Sequence, residues 1–274
     1  MTDGMGPGAK ASGAFSRHGT YVYEVRGTDT DQRDRLHMHA LFSMMQEAAA
    51  LHAERLGFGA QQFDPQGITW VLLRVSVRMD SFPAWKERFT IETWPSGTDR
   101  LYGLRDFRFF REDGTPAGAA TTTWLVVDTA TRRPRRFVPP AAEGQTTATG
   151  ATEASDAPPD RSLAFDAPKV DADDTMAATA PVLRHVCRAS DIDRNLHVNN
   201  TRYIAWCLDA LQTAVGDPDP VVGIDMNYLS ELRLSEEALL TVGTPSDGEA
   251  LVEGRRSDGS PVFRARLFQT ARDS

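Results

Sequence analysis

Asp191-Ile-Asp-Arg-Asn-Leu-His-Val-Asn-Asn-Thr-Arg-Tyr-Ile-Ala-Trp206 is the stretch around which the rest of the chain can be read. In an extended segment, residues two apart point the same way, so Asp193, Asn195 and His197 offer a carboxylate, an amide and an imidazole from one loop. Asn199 and Asn200 follow, and Asn is a favoured N-cap for a helix carrying the apolar run Tyr203, Ile204, Trp206, Cys207, Leu208 and Leu211. A helix start also presents backbone N–H groups that can stabilise a developing oxyanion. The stretch therefore predicts an acid/base site beside a helix N-terminus.

Outward from this point, the chain repeats itself. Arg111-Glu-Asp-Gly-Thr-Pro116 returns as Arg256-Ser-Asp-Gly-Ser-Pro261, each an Asp-Gly hairpin signal between strand-like runs. Leu36-His-Met38, before a predicted helix over 40–56, echoes Leu196-His-Val198 before the second helix. Strands are predicted over 21–25, 69–79, 88–94, 104–110 and 119–127, then over 183–189, 223–229, 238–244, 250–255 and 262–270. One long helix followed by an antiparallel meander suggests, in each half, a curved sheet wrapped around a central helix, an α+β arrangement. Pairing two such units edge to edge removes an exposed sheet edge.

Composition narrows the classes. With 274 residues, 41% of them hydrophobic, the chain has material for one large domain or two ordinary ones. A formal charge of −8 disfavours bulk binding to nucleic acid or anionic membranes. Apolar runs are broken before membrane-spanning length, residues 1–18 lack a secretory apolar core, and two cysteines make no disulfide framework. A cytoplasmic protein without membrane insertion is expected. Residues 1–18 read as a disordered tail, 19–139 as the first unit, 140–180 as a linker rich in Ala, Thr and Pro, and 181–274 as the second unit.

Asp193, Asn195, His197, Val198, Asn199, Asn200, Tyr203 and Trp206 together resemble the hallmark of the acyl-acyl carrier protein (acyl-ACP) thioesterases, which have a double hotdog fold. Gln46-Glu-Ala48, His52-Ala53, Trp70-Val71, Phe82-Pro-Ala-Trp85, Thr93-Trp94 and Thr131-Arg132-Arg133 look like further family features in family order. The resemblance implies a tandem hotdog with a catalytic second half and a first half that shapes an acyl tunnel. It also implies a fourth catalytic position, filled by Glu231 after Tyr228. The family's Glu is often followed by Cys; here Leu232 follows, which excludes a cysteine nucleophile at that place. Registering Leu36-His37 with Leu196-His197 sets Arg33 against Asp193 and Arg35 against Asn195, so the first half lacks the constellation. Met44, Met45, Trp70 and Leu73 are candidates to line the tunnel, although plain core is the commoner fate of such residues.

Each residue also has an ordinary reading. Asp193 and Asn195 are common turn and cap residues, and Glu231 alone would pass for a solvated carboxylate near Glu236 and Glu237. Their combination with His197 carries the case. His37, His39 and His52 show no zinc-site spacing, and neither a Gly-x-Ser-x-Gly elbow nor a phosphate-cradling loop occurs, so no metal and no cofactor are expected. Cys207 sits among apolar helix neighbours and reads as core. Arg132, Arg133, Arg135 and Arg136 concentrate positive charge that would suit an acidic carrier protein, or simply form a solvated turn. The expected activity is hydrolysis of fatty acyl-ACP in fatty acid biosynthesis, by a monomer or homodimer. The alternatives are an acyl-CoA thioesterase using the same site and an acyl-thioester-binding hotdog protein without catalysis.

Overall fold

The computed structural model describes residues 18–137, 166–171, 176, 179–246 and 248–270. The expected tail over 1–18, apart from His18, and most of the expected linker over 140–180 lie outside the described residues. The first half contains β1 (Gly19–Glu24), α1 (Met38–Arg55), the short α2 (Ala60–Phe63), β2 (Ile68–Met79), β3 (Arg88–Asp99), β4 (Tyr102–Arg111), β5 (Pro116–Asp128) and β6 (Pro134–Arg135). The second contains β7 (Leu183–Val186), α3 (Asn200–Val215), β8 (Val221–Tyr228), β9 (Glu237–Ser246), β10 (Glu249–Arg255) and β11 (Pro261–Gln269). The order of strand, helix and meander matches the sequence reading; α2 and β6 carry no strong signal and were not anticipated.

All these strands join one antiparallel sheet in the order β1-β3-β4-β5-β2-β8-β11-β10-β9-β7, with β6 added on β5. The second half runs through the same strand order as the first, reversed along the sheet. The halves meet where β2 pairs with β8, from Arg74 opposite Asn227 to Arg78 opposite Gly223. Alternation along this pair sends Val75, Val77, Ile224 and Met226 inward, where they pack with Leu41 and Phe42 of α1 and Ile204 and Leu211 of α3 in one continuous core. Fully burying each such side chain contributes about 1.5–3 kcal/mol. The opposite face of the seam is polar: Ser76 Oγ donates to Asp225 Oδ1 at 2.6 Å, and Arg78 pairs with the same carboxylate oxygen at 2.9 Å.

The two Asp-Gly hairpins have one geometry. Arg111 N–H donates to Thr115 O and Arg256 N–H to Ser260 O, both at 2.9 Å, while Gly114 and Gly259 take left-handed φ values of 84° and 83° that favour glycine. Part of the linker crosses the outer face of the second half. Asn227 Oδ1 accepts Val170 N–H at 2.6 Å, its Nδ2 donates to Pro168 O at 3.0 Å, and Val170 and Met176 pack on Leu251.

His39, in the first turn of α1, lies 4.7 Å from the His37 ring, and burial together with that neighbour and Arg202 pushes its imidazole down to about 4. The unfolded chain would titrate this group near about 6.5, so between these values it binds more protons than the fold does, and stability falls as pH falls. Thermal melts from pH 7 to 4.5 should therefore show a steeper decline for the wild type than for His39→Gln.

Candidate active site

Residues 193–197 form a tight turn, which corrects the extended segment expected above. Asp193 N–H donates to His197 O at 2.9 Å, Leu196 N–H donates to Asp193 O at 3.1 Å, and Ile192 bridges Val198. Leu196 closes the turn in the left-handed region (φ 64°), costly for a branched side chain, and remains 76% exposed. Closing the turn sets Asp193 and His197 opposite each other at its base, with Asp193 Oδ1 3.7 Å from His197 Nδ1. The same oxygen accepts Asn195 N–H at 2.8 Å. The Asn195 side chain is exposed at the turn's tip and is not brought against the imidazole.

The turn rests on a buried carboxylate. Asp191 accepts from Arg188 N–H at 2.8 Å, from Arg202 Nε at 2.8 Å and faces His185 Nε2 at 3.1 Å. Burial works to raise this carboxyl, but the Arg188, His185 and Arg202 hydrogen bonds outweigh it and hold it below the usual range. Asn199 caps α3 as expected, its Oδ1 accepting Thr201 N–H at 2.9 Å, and its carbonyl accepts Arg202 N–H at 2.9 Å. Those two N–H groups are thus occupied, which narrows the oxyanion role expected of the helix start to Asn200.

Glu231 arrives from the loop after β8. Leu232 O accepts Val198 N–H at 2.8 Å, and Leu232 N–H donates to the Tyr203 hydroxyl at 3.1 Å, so the loop is tied to both ends of the turn-helix junction. Burial pushes the Tyr203 phenol above its ordinary range, keeping it protonated. Glu231 Oε1 then faces His197 Nε2 at 3.8 Å. Both carboxylate contacts with His197 exceed hydrogen-bonding distance; such groups commonly tighten when substrate binds. Arg132, expected from sequence only as part of a carrier-docking cluster, also reaches Glu231: from the turn after β5 it pairs with Glu231 Oε1.

The first half supplies a comparison whose register differs from the one expected. Asp31 N–H donates to Arg35 O, Asp34 N–H to Asp31 O, and His37 N–H to Asp29 O, which matches the bonds around Asp193, Leu196 and Asn199. Asp31 therefore corresponds to Asp193, Arg33 to Asn195 and Arg35 to His197; matching the two Leu-His pairs had slipped the register by two positions. Asp80 and Ser81 bond to Ala117 O as Leu229 and Ser230 do to Val262 O, which sets Phe82 in the place of Glu231. Arg35 pairs with Asp31 at 2.9 Å and lies over the Phe82 ring at 5.9 Å. The first half keeps the backbone and one carboxylate but neither the imidazole nor the second carboxylate.

Between α1, the first-half sheet and the start of α3 lies a cavity of about 20 Å³, lined by Phe42, Met45, Gln46, Leu72, Trp124 and Asn200 among others. Of the four expected lining residues it includes Met45. Met44 is core, Leu73 falls at a bulge of β2, and Trp70 packs on Phe63 and Phe137 with its indole N–H on Phe58 O at 3.0 Å. Cys207 is fully buried, and burial pushes its thiol well above the ordinary range, in keeping with core. Among the described residues, no group of three or more His, Cys, Asp or Glu is placed to hold a metal ion. Arg135 is tied to Asp128 at 2.8 Å, while Arg133 and Arg136 are exposed beside it.

Comparison with known proteins gives consistent matches. Residues 18–143 match the acyl-ACP thioesterase N-terminal domain and residues 177–249 the C-terminal domain. The chain is 26% identical over 267 residues to the chloroplastic palmitoyl-acyl carrier protein thioesterase of Gossypium hirsutum, covering 89% of this chain and 62% of that protein. It is 26% identical over 251 residues to the chloroplastic oleoyl-acyl carrier protein thioesterase 2 of Arabidopsis thaliana, covering 84% and 64% respectively. It thus spans somewhat less than two thirds of these curated relatives. A crystal structure of an acyl-ACP thioesterase from Bacteroides thetaiotaomicron superposes with a TM-score of 0.75 at 25% identity, covering 93% of this chain and 98% of that one. The 12:0-ACP thioesterase from Umbellularia californica shares the fold, with a TM-score of 0.71 at 22% identity over 94% of this chain and 99% of that one.

Removal of the Tyr203 hydroxyl should loosen the Glu231 loop by stranding the buried Leu232 N–H. Tyr203→Phe is expected to cost about 1–3 kcal/mol of stability in denaturant unfolding.

Proposed function

This chain belongs to the acyl-ACP thioesterase family, with its double hotdog fold, and from that premise we propose that it hydrolyses fatty acyl-ACP to free fatty acid and ACP. The observation that carries this reading is the placement of Asp193, His197 and Glu231 together in the second half, where the matching first-half positions hold Asp31, Arg35 and Phe82. We assign the ring proton of His197 to Nδ1, which alone has an acceptor within hydrogen-bond reach, Val198 O at 3.3 Å, and leave Nε2 toward Glu231.

Water bonded to both Glu231 and His197 Nε2 attacks the thioester carbonyl carbon while its proton passes to that pair. Collapse of the tetrahedral intermediate breaks the C–S bond, and the departing thiolate takes the proton back, which restores the enzyme. Asp193 orients the imidazole; its engagement by Asn195 N–H supports that role over a nucleophilic one. Asn195 acts through its backbone in holding Asp193, and the α3 start contributes Asn200 N–H toward the oxyanion. A cavity of about 20 Å³ holds about one water, so an acyl chain enters only as Met45, Phe42 and Leu72 move aside. Exposed Arg133 and Arg136, close along the chain to Arg132 at the site, suit an acidic carrier. Two buried free cysteines suit a reducing cytoplasm, and among the described residues no helix is long and apolar enough to cross a membrane. The halves complete each other's sheet edge, so one chain suffices for the site.

Free-thiol release from matched acyl-ACP and acyl-CoA substrates tests the reading. Turnover on acyl-ACP should fall by about 10²-fold or more in His197→Ala and Glu231→Gln. Turnover confined to acyl-CoA would make the chain a CoA thioesterase, and binding without turnover would make it a carrier or sensor of acyl thioesters.

Charge reversal at Arg133 and Arg136 should raise KM for acyl-ACP several-fold, about the effect of lost steering charge, and spare small-thiol thioesters. Equal effects on both substrates would end the docking assignment.

A further inference from the structure

Arg132 was grouped with the carrier-docking arginines by its neighbours in sequence, but its guanidinium lies on the Glu231 carboxylate oxygen that also faces His197 Nε2. We propose that Arg132 is a positioning residue of the catalytic centre, holding Glu231 against His197 from a turn of the first half. The assignment rests on the thioesterase reading given above.

The turn is built to present this side chain. Asp128 Oδ1 accepts Ala130 N–H at 3.2 Å, Thr131 N–H at 2.9 Å and the Thr131 hydroxyl at 3.0 Å. Its backbone closes the loop from both sides, Arg132 N–H donating to Asp128 O at 2.8 Å and Asp128 N–H to Arg133 O at 3.0 Å. Arg135 holds the remaining carboxylate oxygen, and its hydrogen bond, with those from Thr131, keeps the Asp128 carboxyl well below the usual carboxylate range. Within that loop Arg132 adopts a left-handed φ of 59°, a backbone state disfavoured for a long side chain and maintained by the surrounding bonds.

Glu231 needs such a partner. Its side chain is 28% exposed, and its contact with His197 is longer than a hydrogen bond, so the imidazole alone does not fix it. A guanidinium offers five donors in a rigid fork, which can hold one oxygen while leaving the carboxylate turned toward a second group. Arg256 steadies the same loop from beneath by donating to Ser230 Oγ at 2.7 Å and to the Glu231 carbonyl. Glu231 is thus held by one cation from each half, Arg256 at its backbone carbonyl and Arg132 at its carboxylate. In the first half, where Phe82 replaces Glu231, Arg35 lies over that ring instead.

The test compares wild type, Arg132→Met, Arg132→Lys, Glu231→Gln and the Arg132→Met/Glu231→Gln pair on acyl-ACP and on an N-acetylcysteamine thioester of the same acyl chain. Arg132→Met should lower kcat roughly 10- to 100-fold on both substrates, the scale of a displaced catalytic group, with KM on the small thioester little changed. Arg132→Lys should recover part of the loss. The double variant should be no slower than Glu231→Gln alone, because Arg132 acts through that carboxylate. Melting temperature should move little, as expected for a pair this exposed. A rise in KM confined to acyl-ACP, losses that multiply in the double variant, or faster turnover in Arg132→Met would each overturn the assignment while Glu231→Gln still upholds the thioesterase reading. Absence of turnover in the wild type on both substrates would overturn that reading, and this assignment with it.

Discussion

Antiparallel pairing of β2 with β8 is the contact on which the molecule depends. Each half is a sheet packed on one long helix, and β2 and β8 are the strands that would otherwise carry unpaired backbone groups along an open edge. Joining them sets α1 and α3 into one apolar core and satisfies both ladders together. Asp225, nearly buried at the seam, is held there by Ser76 and Arg78 from the opposite half. Substituting one partner would leave a charge without compensation, and that makes the seam specific as well as adhesive. The turn after β5 also comes within reach of the second half's loop only because the sheets are continuous.

On this frame the two turns differ in few side chains. Both halves build the same turn from the same bonds, with Asp29 and Asp191 anchoring it and Asp31 and Asp193 at its mouth. Histidine in place of arginine, and glutamate in place of phenylalanine, separate the half in which an imidazole faces a second carboxylate from the half in which none does. The backbone serves as a mount, and function lies in what is attached to it.

Much of this could be read from the residues because the relevant physics is local. Asp-Gly hairpins at 113–114 and 258–259, apolar periodicity over α1 and α3, and Asn199 as a cap all depend on neighbours a few positions away, and all stand where expected. What escaped depends on closure. A run of alternating polar residues reads as extended until Leu196 takes a left-handed conformation, which few leucines signal. The chance recurrence of Leu-His disguised the register, since the structural counterpart of Leu36 is Val198, not Leu196. The pairing of Arg132 with Glu231 is not legible in sequence, because its partner comes from the other half, and neither is the aromatic cluster that Trp70 forms with Phe58, Phe63 and Phe137. The short α2, with little periodicity of its own, is placed by tertiary contacts with α1 and β2.

The unequal turns have a bearing on symmetry. Two identical subunits related by a twofold axis must carry the same residues at corresponding places, so any group that one site borrows from the neighbouring subunit must be lent back on identical terms. Covalent joining lifts that obligation. Once the copies share a chain, position 35 can be arginine and position 82 phenylalanine without touching His197 or Glu231, and the first copy's turn no longer has to match the second's side chain for side chain. The pseudo-twofold then persists in the backbone, where packing enforces it, and is broken in the side chains, where selection can act on each half separately.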